Sequence, residues 1–432
     1  MVVGLGGQVV RVLRVVKEHT EWRRYQCINL VASENVMSPL AEAVYMSDFM
    51  SRYNEHDGES HYQGTAYCME IEAIVKEIFG ERFNTPYVEP RPISGGMANL
   101  IVFRALAKQG DIIVSPRLTA GAHVSHTRYG VAGTLGLAEV PAFFDPKDMV
   151  LDVEKTAELI NNIRPKFLIL GRSVVLFPEP IKELKRYIDP NIKIVYDVAH
   201  VFGLIWGGLF QDPFADGADI ITSSTHKTFP GPQGGIIIAR RDLEESLWRK
   251  IERVTFPGVV YNHHIHRLPA LAITALEMNE FGHEYALQTV RNAKRLAEEL
   301  SSHGFNVLCS HKGFTESHQV LVDVRELGGG RKVGKILEEN NIIVTKVALP
   351  WDSDKDATAN PSGIRIGVQE MTRFGMKEPE MAYIAELFDA VLHEGKRVAE
   401  DVVEFRRQFS EVRYCFEVSR YEDYLVGLLG GR

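Results

Sequence analysis

In Asp219-Ile220-Ile221-Thr222-Ser223-Ser224-Thr225-His226-Lys227 an apolar run ends in small hydroxyl residues and delivers one lysine into a turn, which Gly231-Pro232-Gln233-Gly234-Gly235 closes. A short apolar run bounded by turn residues reads as a buried strand. Upstream, a second such run, Ile194-Val195-Tyr196, ends at Asp197, with Ala199-His200 just behind it. A lysine and an aspartate at the ends of neighbouring strands suit pyridoxal phosphate. The amine condenses with the aldehyde, and the carboxylate keeps the ring nitrogen protonated so that the ring can absorb carbanion charge. Either residue alone would fit a solvated turn. In this order, both at strand ends, they point to the cofactor.

Outward from these two strands the chain alternates. Strand-like runs at Ile112-Ile113-Val114, 167–170, 192–196, 220–221 and 235–239 are separated by helical patterns, for example 71–79, 153–162 and 180–187. Such alternation predicts an α/β fold, with a mostly parallel sheet covered on both faces and ligands at the carboxyl ends of its strands. The expected plan is an N-terminal helix and extended arm over 1–40, a large domain over 41–275 and a smaller C-terminal α+β domain over 276–432. In the last of these, a helix around 268–278 bridges in and an amphipathic helix over 286–303 stops at His303-Gly304. Strands follow at 319–322 and 342–344, then a long polar loop over 352–362. A final helix over 379–409 would kink at Gly395.

With 432 residues the chain exceeds one compact core. Its 49 basic and 57 acidic residues leave a net charge of −8, which argues against a general nucleic-acid binder. The four cysteines, Cys27, Cys68, Cys309 and Cys415, form no CxxC pair, so no metal site and no disulfide framework is expected, and a cytoplasmic location fits. Arg11, Arg14 and Lys17 interrupt the N-terminal valines, unlike the h-region of a signal peptide. Val9, Val12, Leu13 and Val16 instead share one helical face. No apolar run approaches the ~20 residues of a membrane span, so no membrane partner is expected.

Four further motifs carry candidate chemistry. Ser94-Gly95-Gly96-Met97-Ala98-Asn99 opens a helix, either as an ordinary N-cap or as an anion site for the cofactor phosphate. His123, in Gly121-Ala122-His123-Val124-Ser125-His126, either stacks on a pyridine ring or is a buried, hydrogen-bonded histidine. Arg365, flanked by apolar residues in Gly363-Ile364-Arg365-Ile366-Gly367, either clamps a substrate carboxylate or makes an internal salt bridge. Glu55, in Tyr53-Asn54-Glu55-His56-Asp57-Gly58, is either an acid/base group or part of a surface turn.

The order Ser33-Glu34-Asn35, Tyr53-x-Glu55, Ser94-Gly95, His123-x-x-His126, Asp197-x-Ala199-His200, Thr225-His226-Lys227 and Gly363-x-Arg365-x-Gly367 resembles the serine hydroxymethyltransferase family of PLP-dependent enzymes, over about residues 25–375. The resemblance implies PLP fold type I, with a seven-stranded sheet in the large domain. It implies that Lys227 is the Schiff-base lysine, Asp197 the ring-nitrogen partner and His123 the stacking histidine. Ser94, Gly95 and Gly96 would hold the phosphate. Ser173 and His200 would lie near the ring hydroxyl, with Thr225 and His226 shaping the pocket. Ser33, Tyr62 and Arg365 would bind the amino acid. Glu55 and Tyr53 would handle protons and bind substrate from across a homodimer interface.

The implied reaction cleaves or forms the Cα–Cβ bond of a β-hydroxy amino acid, with tetrahydrofolate or a modified tetrahydropterin as co-substrate. The alternative is a folate-independent threonine or α-methylserine aldolase or transaldolase on the same scaffold. Several family positions differ here. The glycine-rich stretch after Phe-Pro-Gly reads Val259-Val260-Tyr261-Asn262-His263-His264, and the second tyrosine of Arg-Tyr-Tyr-Gly-Gly is Gln63. Thr-Pro after the arginine strand is Val368-Gln369. The pterin-binding asparagine after Lys346 is Val347, which has no amide to donate or accept.

Overall fold

A computed structural model describes residues 5–428. Seven strands build the large sheet: β1 (Val88–Glu89), β2 (Ile112–Ser115), β3 (Ala138–Pro141), β4 (Phe167–Leu170), β5 (Lys193–Asp197), β6 (Ile220–Ser224) and β7 (Gly235–Ala239). Their spatial order is β1-β7-β6-β5-β4-β2-β3, and all are parallel except β7, which runs antiparallel to both neighbours. This is the mostly parallel sheet predicted from the alternation of segments, with the seven strands that the family resemblance implies.

Alternate residues of the same strands enter different cores. Leu168, Leu170, Ile194, Tyr196 and Ile221 join one cluster; Phe167, Ile169, Val195 and Ile220 join another. A strand with both faces covered needs apolar residues at every position, which is why these segments are continuous apolar runs.

A second sheet holds β8 (Asn306–Val307), β9 (Gln319–Asp323), β10 (Thr345–Val347) and β11 (Gly363–Gly367), in the antiparallel order β8-β9-β11-β10. The N-terminal arm joins this part of the molecule, where Ile28–Asn29 pairs in parallel with Ile342–Ile343. The preceding helix, Leu5–Thr20, buries none of its residues.

Three local expectations are corrected. The segments at 268–278 and 286–303 are one helix, Arg267–Ser302, of 36 residues. The pattern lapses at Gly282 because the helix touches backbone there: a Cβ built on Gly207 would lie 2.5 Å from the Gly282 carbonyl oxygen. The C-terminal helix is broken rather than kinked, into Glu378–Leu392 and Ala399–Arg407. Gly395 between them takes φ +67°, which glycine adopts without strain. The polar segment over 352–362 contains a short helix, Asp354–Ala359, capped by Ser353, whose Oγ accepts from the Asp356 N–H at 3.1 Å.

Candidate active site

Asp197 and Lys227 meet because β5 and β6 are parallel neighbours, with Asp197 in register with Thr222. Asp197 is the last residue of β5, and Lys227 follows the end of β6 by three residues. Both line a cavity of about 470 Å³. Its wall also includes Ser33, Ser94, Gly95, Gly96, His123, Ser173, His200, His226 and Arg365. Eleven of the residues singled out in the sequence thus come together from the arm, the large sheet and the second sheet.

The helix Gly95–Leu106 opens at this cavity. Ser94 is its N-cap, with Oγ accepting from the Met97 N–H at 3.1 Å. A Cβ on Gly95 would lie 3.1 Å from the Ser224 nitrogen, and one on Gly235 only 2.2 Å from the Ser94 carbonyl oxygen. Glycine at both positions lets the helix start press against the ends of β6 and β7. The result is a set of free N–H groups, positive in sign, at the mouth of the sheet.

Three groups hold Asp197. His126 Nε2 lies 3.0 Å from Oδ2, Asn99 Nδ2 donates to Oδ2 at 2.8 Å, and the Ala199 N–H donates to Oδ1 at 3.1 Å. Burial by itself would raise this carboxyl, but the His126 hydrogen bond and nearby positive charge outweigh it and hold it well below the usual carboxylate range. Asn99 is oriented in turn by the Thr222 hydroxyl, which donates to its Oδ1 at 2.6 Å.

Burial lowers the Lys227 amine to about 8; the Asp197 charge opposes that shift and Arg365 adds to it. Burial also lowers His123 and His226 to about 4 each, and takes His200 well below its usual range. All three imidazoles are neutral at pH 7. Burial brings Arg365 down to about 10, so its guanidinium stays charged. Arg365 Nη1 donates to the Ser173 carbonyl oxygen, while its Nε is buried without a partner. No carboxylate pairs with Arg365 among the described residues.

Thr225 does not reach the cavity. It is fully buried, and its hydroxyl donates to the Pro232 carbonyl oxygen at 2.6 Å, closing the turn that carries His226 and Lys227. Tyr53, Glu55 and Tyr62 lie elsewhere as a cluster of their own. Tyr53 donates to Glu55 Oε1 at 2.9 Å and Tyr62 to Oε2 at 3.5 Å, and the tyrosines are 45% and 42% exposed.

Sequence reading missed His126, Asn99 and Gln319 as parts of the site. His126 and Asn99 stood inside quoted motifs, but nothing local showed that they converge on Asp197. Gln319 hydrogen-bonds to Ser173 and contacts His200. Gln369, at one of the divergent positions, pins the arm: its Nε2 donates to the Val31 and Glu34 carbonyls at 2.8 and 2.7 Å, on either side of Ser33. Val347 packs with the apolar cluster around Leu321 and Leu349.

Apart from the cavity, His56, Glu72 and His263 place three potential ligand atoms within 4.8 Å of one another, all buried. Glu72 is already engaged by His56 Nε2 at 2.9 Å and by the Lys76 amine at 2.7 Å on its other oxygen. The cluster is an internally neutralised ion pair.

The donors around the cavity fit pyridoxal phosphate. Ser224 Oγ, His226 Nδ1 and Arg365 Nε are buried polar atoms without protein partners on its wall, a helix N-terminus faces it, and one amine and one ionised carboxylate share it.

A model of the serine hydroxymethyltransferase family matches residues 8–388. The serine hydroxymethyltransferase of Sulfolobus acidocaldarius is 50% identical over 430 residues, covering 98% of each chain. That of Staphylothermus marinus is 49% identical over 421 residues, covering 96% of this chain and 95% of the other. The crystal structure of L-threonine transaldolase from Pseudomonas fluorescens superposes with a TM-score of 0.86 at 28% identity, covering 98% and 96% of the two chains.

Proposed function

Because this chain belongs to the serine hydroxymethyltransferase family, we propose that the Lys227 cavity carries that family's chemistry with the residue roles given below. The chain is a PLP-dependent transferase acting between serine and glycine, of PLP fold type I. The observation that carries the assignment of roles is the ionised, buried Asp197 facing the same cavity as a lysine of lowered pKa.

Pyridoxal phosphate, when bound, supplies the electron sink for the bond between Cα and Cβ. Lys227 holds an unprotonated fraction near neutral pH and supplies the attacking amine. Asp197, oriented by His126 and Asn99 and kept ionised chiefly by His126, would partner the ring nitrogen and hold a proton there. Ser94 and the N–H groups of Gly95 and Gly96 receive the phosphate. His123, neutral, would neighbour the ring, and Ser173 and His200 would neighbour its hydroxyl.

Arg365 and Ser33 bind the substrate carboxylate. The unpartnered Nε of Arg365 and the lack of a protein carboxylate beside it support this role. A fixed carboxylate orients the scissile bond, a positional contribution to rate. Glu55, with Tyr53 and Tyr62, moves the proton and binds substrate in the cavity of a second copy. Their absence from the lining of their own cavity, together with the exposure of the two tyrosines, supports a shared site. The bare apolar helix supports the same dimer: Leu5, Val9, Val12, Leu13 and Val16 are 54–81% exposed, a stripe suited to burial against a second copy.

The one-carbon carrier is tetrahydrofolate or a modified tetrahydropterin. The second reading, a carrier-independent threonine or α-methylserine aldolase or transaldolase, draws support from Val347 and from the likeness to a threonine transaldolase. A cytoplasmic location is consistent with four free cysteines. No helix among the described residues is long and apolar enough to cross a membrane.

The test is an absorption titration of the purified holoenzyme with glycine, then with each carrier. A long-wavelength band enhanced by one carrier identifies it. Rapid glycine release from threonine, unchanged by any carrier, would overturn transfer in favour of the aldolase.

A further inference from the structure

Gln319, on β9, is fully buried, and its neighbours fix how its amide points. Oε1 accepts from the Val175 N–H at 3.0 Å, which can only donate, so the NH2 group lies on the other side. From there Nε2 lies 3.0 Å from the Ser173 carbonyl oxygen and 3.1 Å from His200 Nδ1. His318 does not compete for either hydrogen. Its Nε2 lies 3.2 Å from the Ala32 carbonyl oxygen, to which it donates, and 3.4 Å from Gln319.

An amide NH2 has two hydrogens and no acceptor capacity, so His200 Nδ1 accepts one of them. Burial keeps the His200 ring neutral, and a neutral imidazole carries a single proton. That proton is on Nε2. Among the described residues Nε2 has no protein partner, and His200 lines the Lys227 cavity. The same Ser173 carbonyl that takes the first amide hydrogen also accepts from Arg365 Nη1. One side chain therefore touches the supports of two residues of the cavity wall, His200 and Arg365.

We propose that Gln319 is a positioning residue that locks His200 in the Nε2–H tautomer, presenting the cavity with a hydrogen-bond donor suited to an anionic ring oxygen. The identity of that oxygen rests on the cofactor reading above; the tautomer does not. Gln319 itself touches neither cofactor nor substrate. Its effect runs through His200 and, by way of the Ser173 carbonyl, through Arg365.

The experiment is nitrogen-15 NMR of histidine-labelled protein stripped of B6 aldehyde, with the His200 signals assigned by their loss in His200→Asn. The native protein is expected to show a bare Nδ1 and a protonated Nε2. Gln319→Leu removes the donor and should give a mixture of tautomers. Gln319→Glu places an acceptor there and should move a proton onto Nδ1. In holoenzyme, Gln319→Leu should also weaken retention of pyridoxal phosphate by about tenfold or more, the size of one hydrogen bond to a charged group. A protonated Nδ1 in the native protein, or an unchanged His200 signal in Gln319→Leu, overturns the proposal; the first needs no substitution at Gln319. Failure of the cofactor assignment would show differently, as a cofactor absorption band that survives Lys227→Ala.

Discussion

The cavity at the ends of β5 and β6 and the patch at Tyr53, Glu55 and Tyr62 hold the same kinds of group, in opposite states. In the cavity, one chain supplies everything that holds and tunes its charged residues. Asp197 has three donors, Lys227 is lowered by burial, and every histidine of the wall is neutral. In the patch, a carboxylate and two tyrosines hydrogen-bond to one another in the open. On the proposed reading, a single chain finishes the half of the site that stabilises negative charge, and the half assigned to proton transfer is completed by a second copy.

Removing the centre of the finished half has the largest effect. Lys227→Ala should lower turnover by about a thousandfold or more and abolish the absorption of the bound aldehyde. In the native apo-protein, capture of B6 aldehyde should quicken as pH rises and level off above about 8, because the neutral amine is the nucleophile. A flat profile between pH 6 and 9 would contradict the lowered amine.

The unfinished half comes next. Glu55→Gln should cost about a hundredfold in turnover, in the range for a lost acid/base group. Mixing and refolding Glu55→Gln with Lys227→Ala chains should then recover about a quarter of native activity, since half the dimers would be mixed and each would carry one intact site. No recovery would show that the two regions serve separate sites, and the comparison would break.

A smaller effect is expected from Arg365→Ala. The KM for serine should rise by about 10- to 100-fold with the cofactor retained, the range for charge-assisted hydrogen bonds to a carboxylate. An unchanged KM would return Arg365 to a purely structural role. The smallest is Val347→Asn, which should lower the KM for tetrahydrofolate by about fivefold, the worth of one neutral hydrogen bond. A higher KM would mean that the apolar packing of Val347 serves the carrier as it stands.

The sheet was legible because its strands are buried on both faces and so are apolar throughout. Lys227 and Asp197 were legible because strand ends are where turn residues and chemistry concentrate. His126, Asn99 and Gln319 were not, since what makes each matter is a partner far along the chain: Asn99 meets Asp197 across 98 positions, and Gln319 meets His200 across 119. The long helix read as two segments for a related reason: Gly282, between them, admits the backbone at Gly207, where His283 Nδ1 also lies 2.9 Å from the carbonyl oxygen. Tyr53, Glu55 and Tyr62 were recognisable as a motif, but within their own chain they do not line the cavity, and the site proposed for them is that of a second copy.

The pinned arm has a consequence for how this protein comes into being. Ser33 is among the first parts of the cavity to be synthesised, yet Gln369, which fastens the backbone on either side of it, arrives 338 positions after Val31. Closing so long a loop is costly in entropy and slow to occur by chance. A nascent chain can complete its large sheet, with Lys227 and Asp197 at the ends of paired strands, while the wall that carries Ser33 still hangs open. The pocket's door is hung last, by the opposite end of the polypeptide.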